Sequence, residues 1–330
     1  MSRPAIPREA ERSTRSTPTT IRAGDAAAPR HPYREGMLEL HDVTKRYGER
    51  LALDHVSFAV GDGRLTGFVG GNGAGKTTTM RIILGVLASD GGTVLLDGAP
   101  VGAADRRRFG YMPEERGLYP KMKVLEQTVY LARLHGWAPA AARANALELL
   151  ERLGLGERTD DTIESLSLGN QQRAQIAAAL VHRPEMLVLD EPFSGLDPMA
   201  VETVQAVLAD VAATGVPVLF SSHQLDIVER LCDDLVIIAG GRIAASGTGE
   251  ALRTQHGTER WELLVAGDAG WLRQQPGISV VEFDGGWAVF EAESDAAREA
   301  ALTEAVSRGG LVSFSRERTS LAQIFKEVVQ

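Results

Sequence analysis

The sequence contains a glycine-rich run whose residue types and spacing fit a phosphate-binding loop, Gly70-Gly71-Asn72-Gly73-Ala74-Gly75-Lys76-Thr77-Thr78. Glycines let the backbone curl with its N–H groups pointing inward and leave no Cβ in the way of an anion. A helix starting near Lys76 presents its positive end to the same phosphates. Lys76 is expected to reach the β- and γ-phosphates, and Thr77 to place its hydroxyl on Mg²⁺. The run therefore predicts a nucleoside-triphosphate site.

A second set of polar residues follows two apolar runs. Asp190 and Glu191 come directly after residues 186–189, and His223 comes shortly after 216–220. Asp190 is expected to hold Mg²⁺, directly or through water, which completes the metal site begun in the glycine loop. Glu191 carries no metal in this scheme and is predicted to orient or deprotonate an attacking water. His223 is predicted to donate a hydrogen bond to the γ-phosphate as the bond breaks.

The elements that must position these residues alternate between strands and helices. Residues 65–69 form a short apolar run before the loop, and 80–87 show a helical pattern after it. Fully apolar strands belong in the middle of a parallel sheet, and carboxylates at their carboxyl ends lie where such sheets bind ligands. Two more strands are predicted over 234–239 and 242–246. The alternation indicates an α/β fold with the polar residues at strand ends beside the loop.

Upstream of the loop, alternating apolar residues predict an edge strand over 38–43 and a second strand over 53–60. Residues 45–48 are predicted to form a turn. Tyr47 in this turn could return over the nucleotide and stack on its base, a contact worth roughly 1–3 kcal/mol and indifferent to the base. The alternative for Tyr47 is an ordinary surface tyrosine.

A helical insert interrupts the strand-and-helix alternation. Residues 124–155 carry two apolar stripes at helical spacing, and Pro139 lies at the start of the second helix, where its missing N–H does no harm. A further helix is predicted over 171–181. The insert, about residues 115–180, is expected to form a subdomain on one side of the sheet.

The two ends of the chain differ from its middle. Residues 1–36 are rich in Pro, Ser, Thr, Ala and Arg without periodicity, which predicts a disordered tail. A basic arm of this kind could touch anionic lipid or nucleic acid, and a passive tail or a start at Met37 is the other interpretation. Residues 258–330 predict a small α+β domain of four strands and two helices. It holds no cluster of His, Cys or carboxylates at catalytic or metal spacing.

Composition limits the class of protein. A length of 330 residues predicts about two domains. The net charge of −9 argues against bulk attraction to nucleic acid, and none is expected as a partner. No apolar run approaches the roughly 18 residues needed to cross a bilayer, and the start lacks a signal-peptide core. The single cysteine, Cys232, excludes an internal disulfide framework. These features predict a soluble, cytoplasmic protein.

Over about residues 37–255 the chain resembles the ATP-binding subunit of an ABC transporter. The family's motifs occur in order and at its spacing. They are the signature sequence at Leu166-Ser167-Leu168-Gly169-Asn170-Gln171-Gln172-Arg173, the second Walker motif at Asp190-Glu191-Pro192, the D-loop at Ser194-Gly195-Leu196-Asp197, the switch histidine at His223 and the adenine-stacking aromatic at Tyr47. The resemblance implies a P-loop NTPase fold of the ABC type, with an antiparallel β subdomain and a helical insert, over residues 37–257.

The resemblance also implies that two such domains, in a homodimer or with a paralogous ATPase subunit, pair head-to-tail and trap two ATP. Part of each site then comes from the partner. The residues placed in contact with the other copy's ATP are Ser167, Leu168, Gly169, Asn170 and Asp197. A helix from Asn170 gives a second positive helix end, so the phosphate is clamped between two such ends.

The chain departs from the family pattern at three positions. Leu168 replaces the usual first glycine of the signature, and Asn170 replaces the usual glutamine. Glu114 stands where the family has a glutamine, and a carboxylate there would bind Mg²⁺ as a charged ligand. The register between Glu114 and Glu115 stays open. This version, with its short tail domain, resembles ATPase subunits of the ABC-2 exporter class.

The main hypothesis is an ATPase that powers transport, with a leaning to export, through a separate transmembrane permease subunit. The chain would then be peripheral on the inner face of the membrane, and the insert and residues 114–119 would dock onto the permease. A soluble ABC-type ATPase acting on the ribosome or DNA is the alternative, but one glycine loop and no long heptad run are present. A regulator that binds nucleotide without turnover is disfavoured by Glu191 and His223.

Overall fold

The computed structural model describes residues 37–115, 117–256, 259–317 and 320–329. The predicted tail (1–36) and the predicted domain boundary at 257/258 lie outside the described residues. The strands are β1 (Leu38–Tyr47), β2 (Arg50–Val60), β3 (Leu65–Val69), β4 (Gly91–Leu96), β5 (Ala99–Pro100), β6 (Phe109–Met112), β7 (Met186–Leu189), β8 (Val218–Ser222), β9 (Asp234–Ala239), β10 (Arg242–Thr248), β11 (Arg260–Val265), β12 (Ile278–Asp284), β13 (Trp287–Ala292) and β14 (Leu311–Arg316).

The helices of the same ranges are α1 (Lys76–Ile83), α2 (Ala103–Arg106), α3 (Val124–Leu134), α4 (Pro139–Arg152), α5 (Leu168–Leu180), α6 (Pro198–Ala213), α7 (Leu225–Leu231), α8 (Gly249–His256), α9 (Asp295–Ser307) and α10 (Leu321–Val329). In the described part of the chain, no helix is both long enough and apolar enough to cross a membrane.

A mixed sheet in the order β10-β9-β3-β8-β7-β6 forms the centre of the molecule. Its strands run parallel except β10, which pairs antiparallel with β9 at the edge. All four residues of β7 are buried, as the apolar run predicts for a central strand. Because β8 lies between β3 and β7, the segments that follow these three strands emerge side by side. The glycine loop, the carboxylates and the histidine follow these strands, so the predicted α/β arrangement is confirmed.

A second sheet, in the order β2-β1-β4-β5, is antiparallel and covers the first helix of the central domain. Leu38 and Leu53 of this sheet share one core with Phe68 of β3 and Met80 of α1. The rings of Phe58 and Phe68 stack with centroids 5.2 Å apart across this core. The predicted antiparallel β subdomain is confirmed.

The helical insert consists of α3, α4 and α5. Pro139 is the first residue of α4, as predicted. Ala142, Ala146 and Leu150 recur at helical spacing along α4 and are fully buried. They belong to the same hydrophobic core as Leu187 of β7, so the insert packs against one side of the sheet rather than standing apart from it.

The C-terminal region contains a four-stranded antiparallel sheet in the order β12-β13-β11-β14. In chain order these strands occupy positions 2-3-1-4, which is the split β-α-β arrangement. The second crossover is α9, whereas the first is only a 3₁₀ turn over Gly270–Gln274. The core beneath this C-terminal sheet includes Leu263 and Phe290, which are both fully buried. The predicted α+β character is confirmed.

The last helix, α10, packs away from that C-terminal core. Leu321 and Ile324 are buried in the core of the central domain, which also contains Val228 of α7. The backbone N–H of Leu321 donates to Glu229 Oε2 at 3.3 Å, so a side chain of α7 receives the first turn of α10. The final helix therefore contributes to the hydrophobic core that also contains β7 and α7.

Two predicted elements differ from the structure. The turn expected at 45–48 is wrong, because β1 continues to Tyr47, which pairs with Arg50 across a two-residue turn. The helical pattern at 80–87 extends too far: α1 begins at Lys76, as expected for the helix that follows the loop, and ends at Ile83. Gly85 then adopts a left-handed φ of 68°, a conformation that ends helices.

Candidate functional site

The glycine loop joins the end of β3 to the start of α1. Lys76 is 9% exposed, and its Nζ donates a hydrogen bond to the carbonyl oxygen of Gly70 at 2.7 Å. Thr77 and Thr78 are half-buried in the first turn of α1. The first N–H groups of a helix have no partner within the helix. An ammonium group and a helix start thus converge on the loop, a combination suited to phosphate.

Two glycines of the loop are required by the space around them. A Cβ on Gly70 would lie 2.5 Å from the carbonyl oxygen of Ile238, and one on Gly75 would lie 2.6 Å from Leu53 Cδ2. Gly75 also has a φ of 116°, which side chains rarely adopt. A Cβ on Gly71, in contrast, would meet no atom of the described residues within 4 Å. Packing therefore sets the curl of the loop before any ligand binds.

The end of the β1–β2 hairpin lies beside the loop. Tyr47 is 49% exposed, and Arg50 is its cross-strand partner. Arg50 Nη2 is 3.5 Å from the position that a Cβ on Gly73 would take. The hairpin thus places the Arg50 guanidinium at the rim of the loop, where a cation can face phosphate. Stacking of Tyr47 on a base stays a prediction.

Asp190 has the surroundings expected of a metal ligand. It is 1% exposed, and its Oδ1 accepts a hydrogen bond from Ser221 Oγ at 2.5 Å. Its Oδ2 is buried and has no hydrogen-bond partner among the described residues. A buried charged oxygen without a hydrogen-bond donor is unfavourable. A divalent cation bound at Oδ2 would supply the missing partner. Burial, followed by the negative charge of Asp190, raises the pKa of the Tyr111 hydroxyl on the neighbouring strand.

Glu191 is held in an uncommon backbone conformation. Its φ is 53°, a left-handed value that costs a non-glycine residue about 1–3 kcal/mol and occurs often at functional sites. Its Oε2 accepts a hydrogen bond from Nδ1 of His223 at 2.9 Å. Its carbonyl oxygen accepts a hydrogen bond from Nε2 of Gln172 in α5 at 2.9 Å. The candidate base is thus tied both to the candidate switch histidine and to the helix of the insert.

The start of α5 carries the residues predicted to contact a second copy. Ser167 is the N-cap, because its hydroxyl accepts the N–H of Asn170 at 3.3 Å. The helix therefore begins at Leu168, two residues before the start predicted at Asn170. Leu168 is 58% exposed. The positive end of α5 therefore lies at Ser167 to Gly169, within the signature sequence.

The D-loop lies against this helix start within one chain. A Cβ on Gly169 would be 3.3 Å from the carbonyl oxygen of Gly195. Asp197 caps α6 by accepting the N–H of Ala200 at 2.8 Å. These contacts give Ser167 and Asp197 a structural role as caps, and their contacts to a second copy stay predictions.

Sequence comparison identifies the family. A protein-family model described as "ABC transporter" matches residues 53–194, and one described as "ATP-binding protein DrrA1-3-like, C-terminal domain" matches residues 247–329. The ABC transporter ATP-binding protein YhaQ of Bacillus subtilis (strain 168) is 38% identical over 294 residues, which cover 89% of this chain and 98% of YhaQ. The chain belongs to the family of ABC transporter ATP-binding proteins.

Two further ABC proteins agree with this assignment. The Nod factor export ATP-binding protein I of Burkholderia orbicola (strain AU 1054) is 39% identical over 218 residues, 65% of this chain and 72% of that protein. A solved ATP-binding subunit of an ABC transporter superposes with a TM-score of 0.62 at 32% identity, covering 67% of this chain and 93% of that one. The predicted ABC-type fold is confirmed. This ABC ATPase binds nucleotide and hydrolyses ATP.

Glu114, the departure from the family's glutamine, is exposed after β6. Its segment is held from α5, because Gln175 Nε2 donates to the carbonyl oxygens of Pro113 at 2.8 Å and Glu115 at 3.2 Å. The backbone on both sides of Glu114 is therefore hydrogen-bonded to the signature helix of this ABC ATPase. Magnesium binding by Glu114 stays a prediction.

Three residues at the site were missed by sequence reasoning: Arg50, Gln172 and Ser221. Gln172 lies within the signature, but only the fold shows that it hydrogen-bonds the carbonyl oxygen of Glu191. Ser221 was visible as a serine just before the switch histidine. Its contact with the second Walker motif of this ABC ATPase depends on the register between two strands, which no local pattern reveals.

Proposed function

We propose that this ABC ATPase powers export of a substrate through a separate membrane-spanning partner, by ATP-driven closure of two ATPase subunits. The resemblance to a Nod factor export protein supports export. The observation that carries the proposal is the signature start of α5. Its capped positive end and the 58%-exposed side chain of Leu168 face away from the core, open to a second copy.

The roles within one chain follow from the geometry of the site. Lys76 releases Gly70 and binds the β- and γ-phosphates, while the N–H groups of the loop and of α1 hold the remaining oxygens. Thr77, Asp190 and Glu114 hold Mg²⁺, which when bound neutralises charge on the β- and γ-phosphate oxygens. Glu191 orients the attacking water and accepts its proton.

His223 has two partners in this scheme. Its Nδ1 donates to Glu191, so Nε2 points away from that carboxylate and can donate to the γ-phosphate when the ring carries a proton on both nitrogens. Ser167, Leu168, Gly169, Asn170 and Asp197 of the second copy complete the site. Neither chain has a complete site alone, so ATP favours the closed dimer and hydrolysis releases it.

A test of the composite site uses Glu191→Gln, which keeps ATP uncleaved. With ATP and Mg²⁺ this variant should run as a dimer of the 35.4 kDa chain in light scattering, and as a monomer with EDTA. Adding Leu168→Asp should abolish the dimer, because the new carboxylate repels the γ-phosphate of the other copy. Leu134→Asp, at a residue 63% exposed in the same insert, is the control and should leave the dimer intact. Full-rate hydrolysis by a strict monomer would contradict the proposal.

The insert offers a surface for the membrane partner. A cavity of about 560 Å³ is lined by Tyr119, Pro120, Lys121, Met122, Tyr130 and Glu164. Tyr119 and Tyr130 are 58% and 43% exposed, and a basic and an acidic side chain flank them. An apolar floor with polar rims suits a short amphipathic helix. We assign this groove to a cytoplasmic helix of the permease, which would hold the chain at the inner face of the membrane.

The groove is tested by pull-down from detergent-solubilised membranes of the source cells, with bound proteins identified by mass spectrometry. Tyr130→Asp should lose the multispan membrane protein that the wild type retains. The ATPase rate of the purified subunit should stay within about twofold, since Tyr130 is none of the residues placed at the nucleotide or the metal. Val306→Asp, at a residue of α9 that is 58% exposed, is the control. Equal recovery of the membrane protein by both variants would exclude the groove.

A further inference from the structure

Ser221 is a buried hydroxyl placed between the two carboxylate residues of the second Walker motif. It lies in β8, which pairs with β7 on one side and β3 on the other, and it is fully buried. Its Oγ is 2.5 Å from Asp190 Oδ1 and 2.8 Å from the backbone nitrogen of Glu191. One side chain therefore contacts the candidate metal ligand and the candidate base together.

The direction of both hydrogen bonds is set by chemistry. A serine hydroxyl has one hydrogen, and an ionised carboxylate only accepts, so Ser221 donates to Asp190. Its lone pairs then accept a hydrogen bond from the backbone N–H of Glu191, because an N–H group can only donate. The donation occupies Oδ1 of Asp190 and leaves Oδ2, the buried oxygen without a partner among the described residues, as the atom for a cation.

The same hydroxyl fixes the backbone of Glu191. The residue has a φ of 53°, so its peptide needs support from its surroundings. Ser221 holds its N–H from the sheet, and Gln172 Nε2 holds its carbonyl oxygen from α5 at 2.9 Å. With its backbone N–H and carbonyl oxygen both hydrogen-bonded, Glu191 places its Oε2 2.9 Å from Nδ1 of His223.

We propose that Ser221 is a positioning residue for ATP hydrolysis that aligns the metal-binding oxygen of Asp190 and the carboxylate of Glu191 as one unit. The inference rests on the proposed roles of Asp190 and Glu191. Without the hydroxyl, Asp190 is free to rotate and the N–H of Glu191 loses its acceptor. The affinity for Mg²⁺ and kcat then fall together. The affinity for nucleotide without Mg²⁺, which depends on the glycine loop, does not fall.

The test compares Ser221→Ala, Ser221→Cys and Ser221→Thr with Thr66→Val. The cysteine fills the space of serine but is a poor hydrogen-bond donor, whereas threonine keeps the hydroxyl. Thr66 is a fully buried residue of the adjacent strand β3, and its Oγ1 has no hydrogen-bond partner in the described part of the chain. Its replacement therefore controls for the loss of any buried hydroxyl from this sheet.

Three quantities are measured: the affinity for a fluorescent ATP analogue in EDTA, the tightening of that affinity by Mg²⁺, and kcat with its Mg²⁺ midpoint. For Ser221→Ala and Ser221→Cys we expect unchanged affinity in EDTA within twofold, loss of most of the tightening, a kcat 10–100-fold lower and a Mg²⁺ midpoint at least fivefold higher. Ser221→Thr should recover at least a third of kcat, and Thr66→Val should match the wild type.

Wild-type values for both Ser221→Ala and Ser221→Cys would overturn the proposal, and so would full recovery by cysteine, which would show that only volume matters. If alanine does not fold, the contrast between cysteine and threonine decides the same point. Asp190→Asn separates this outcome from a failure of the proposed function. If that change leaves the Mg²⁺ tightening intact, the metal assignment itself is wrong, whatever Ser221 does.

Discussion

The Nδ1 of His223 lies 2.9 Å from Oε2 of Glu191, so the proposed switch histidine and the proposed catalytic carboxylate are hydrogen-bonded to each other. The side chain of His223 is 59% exposed and that of Glu191 only 11%. The pair is therefore open to solvent on the histidine side, which is the side that the proposed contact with the γ-phosphate requires.

Replacing His223 by alanine should lower kcat by about 10²–10³-fold, because one pre-oriented donor to the transition state is lost. Affinity for a fluorescent ATP analogue should change by less than threefold. The measurement is steady-state phosphate release together with nucleotide titration. His41→Ala, at an exposed histidine of β1, is the control and should retain the wild-type rate. A rate for His223→Ala within threefold of wild type would remove this residue from the catalytic site.

Gly75→Ala and Gly71→Ala form a matched pair in the phosphate loop. At Gly75 a methyl group meets Leu53 at 2.6 Å on a backbone with φ 116°, so we expect a loss of at least about 2 kcal/mol in the free energy of unfolding and no detectable ATP binding. At Gly71 the methyl group has open space, so stability should change by less than about 0.5 kcal/mol. Urea unfolding and nucleotide titration measure both. Equal effects of the two changes would contradict the packing described for the loop.

His182 should make stability depend on pH. Burial, followed by the nearby His135 ring stacked at 3.8 Å, lowers the pKa of His182 to about 4. The native state thus favours the neutral ring, so stability is complete above the ordinary pKa near 6.5 and declines as pH falls from there toward 4. Between pH 7 and pH 5 the decline amounts to about 2 kcal/mol.

Urea unfolding at pH 7 and pH 5 checks this. His182→Gln, which keeps a donor for the carbonyl oxygen of Phe109, should lose about 2 kcal/mol less than the wild type over this interval. His41→Gln, at an exposed ring, should behave as the wild type does. An identical decline in all three proteins would show that the pKa of His182 is not lowered in the folded state.

The last helix should be needed for the stability of the ATPase domain. Ile324 is fully buried in the same core as Val228, so Ile324→Ala should cost about 2–5 kcal/mol of unfolding free energy. Val329→Ala removes an apolar side chain from the same helix at a position 39% exposed, and should cost less than about 1 kcal/mol. Urea unfolding, monitored through the loss of ATP binding, distinguishes the two variants. If Ile324→Ala leaves that transition unchanged, α10 does not support the ATPase core.

The carboxyl end of the central sheet could be predicted from the sequence because its strands are recognisable from local apolar runs. The buried run of β7 ends directly at Asp190, and the glycine loop directly follows β3. Parallel strands place such ends together without further information. The α/β class and the placement of Asp190 beside the glycine loop therefore followed from pattern alone.

What could not be predicted depends on contacts between distant segments. Lys45 to Tyr47 look like a turn, but cross-strand pairing with β2 extends the strand through them. Ser221 acquires its role only from the register of β8 against β7. The apolar face of α10 was visible, but no local pattern shows which domain it packs against.

The position of α10 also bears on how the protein is made. Val228 and Ile324 share one core but are 96 positions apart in the sequence. At bacterial and eukaryotic elongation rates of about 5–20 residues per second, the ribosome needs roughly 5–20 s to synthesise that interval. During this time the apolar side of α7 has emerged but its covering helix has not. The nascent chain therefore exposes an apolar surface, of the kind that chaperones bind, until α10 has been translated after the C-terminal sheet.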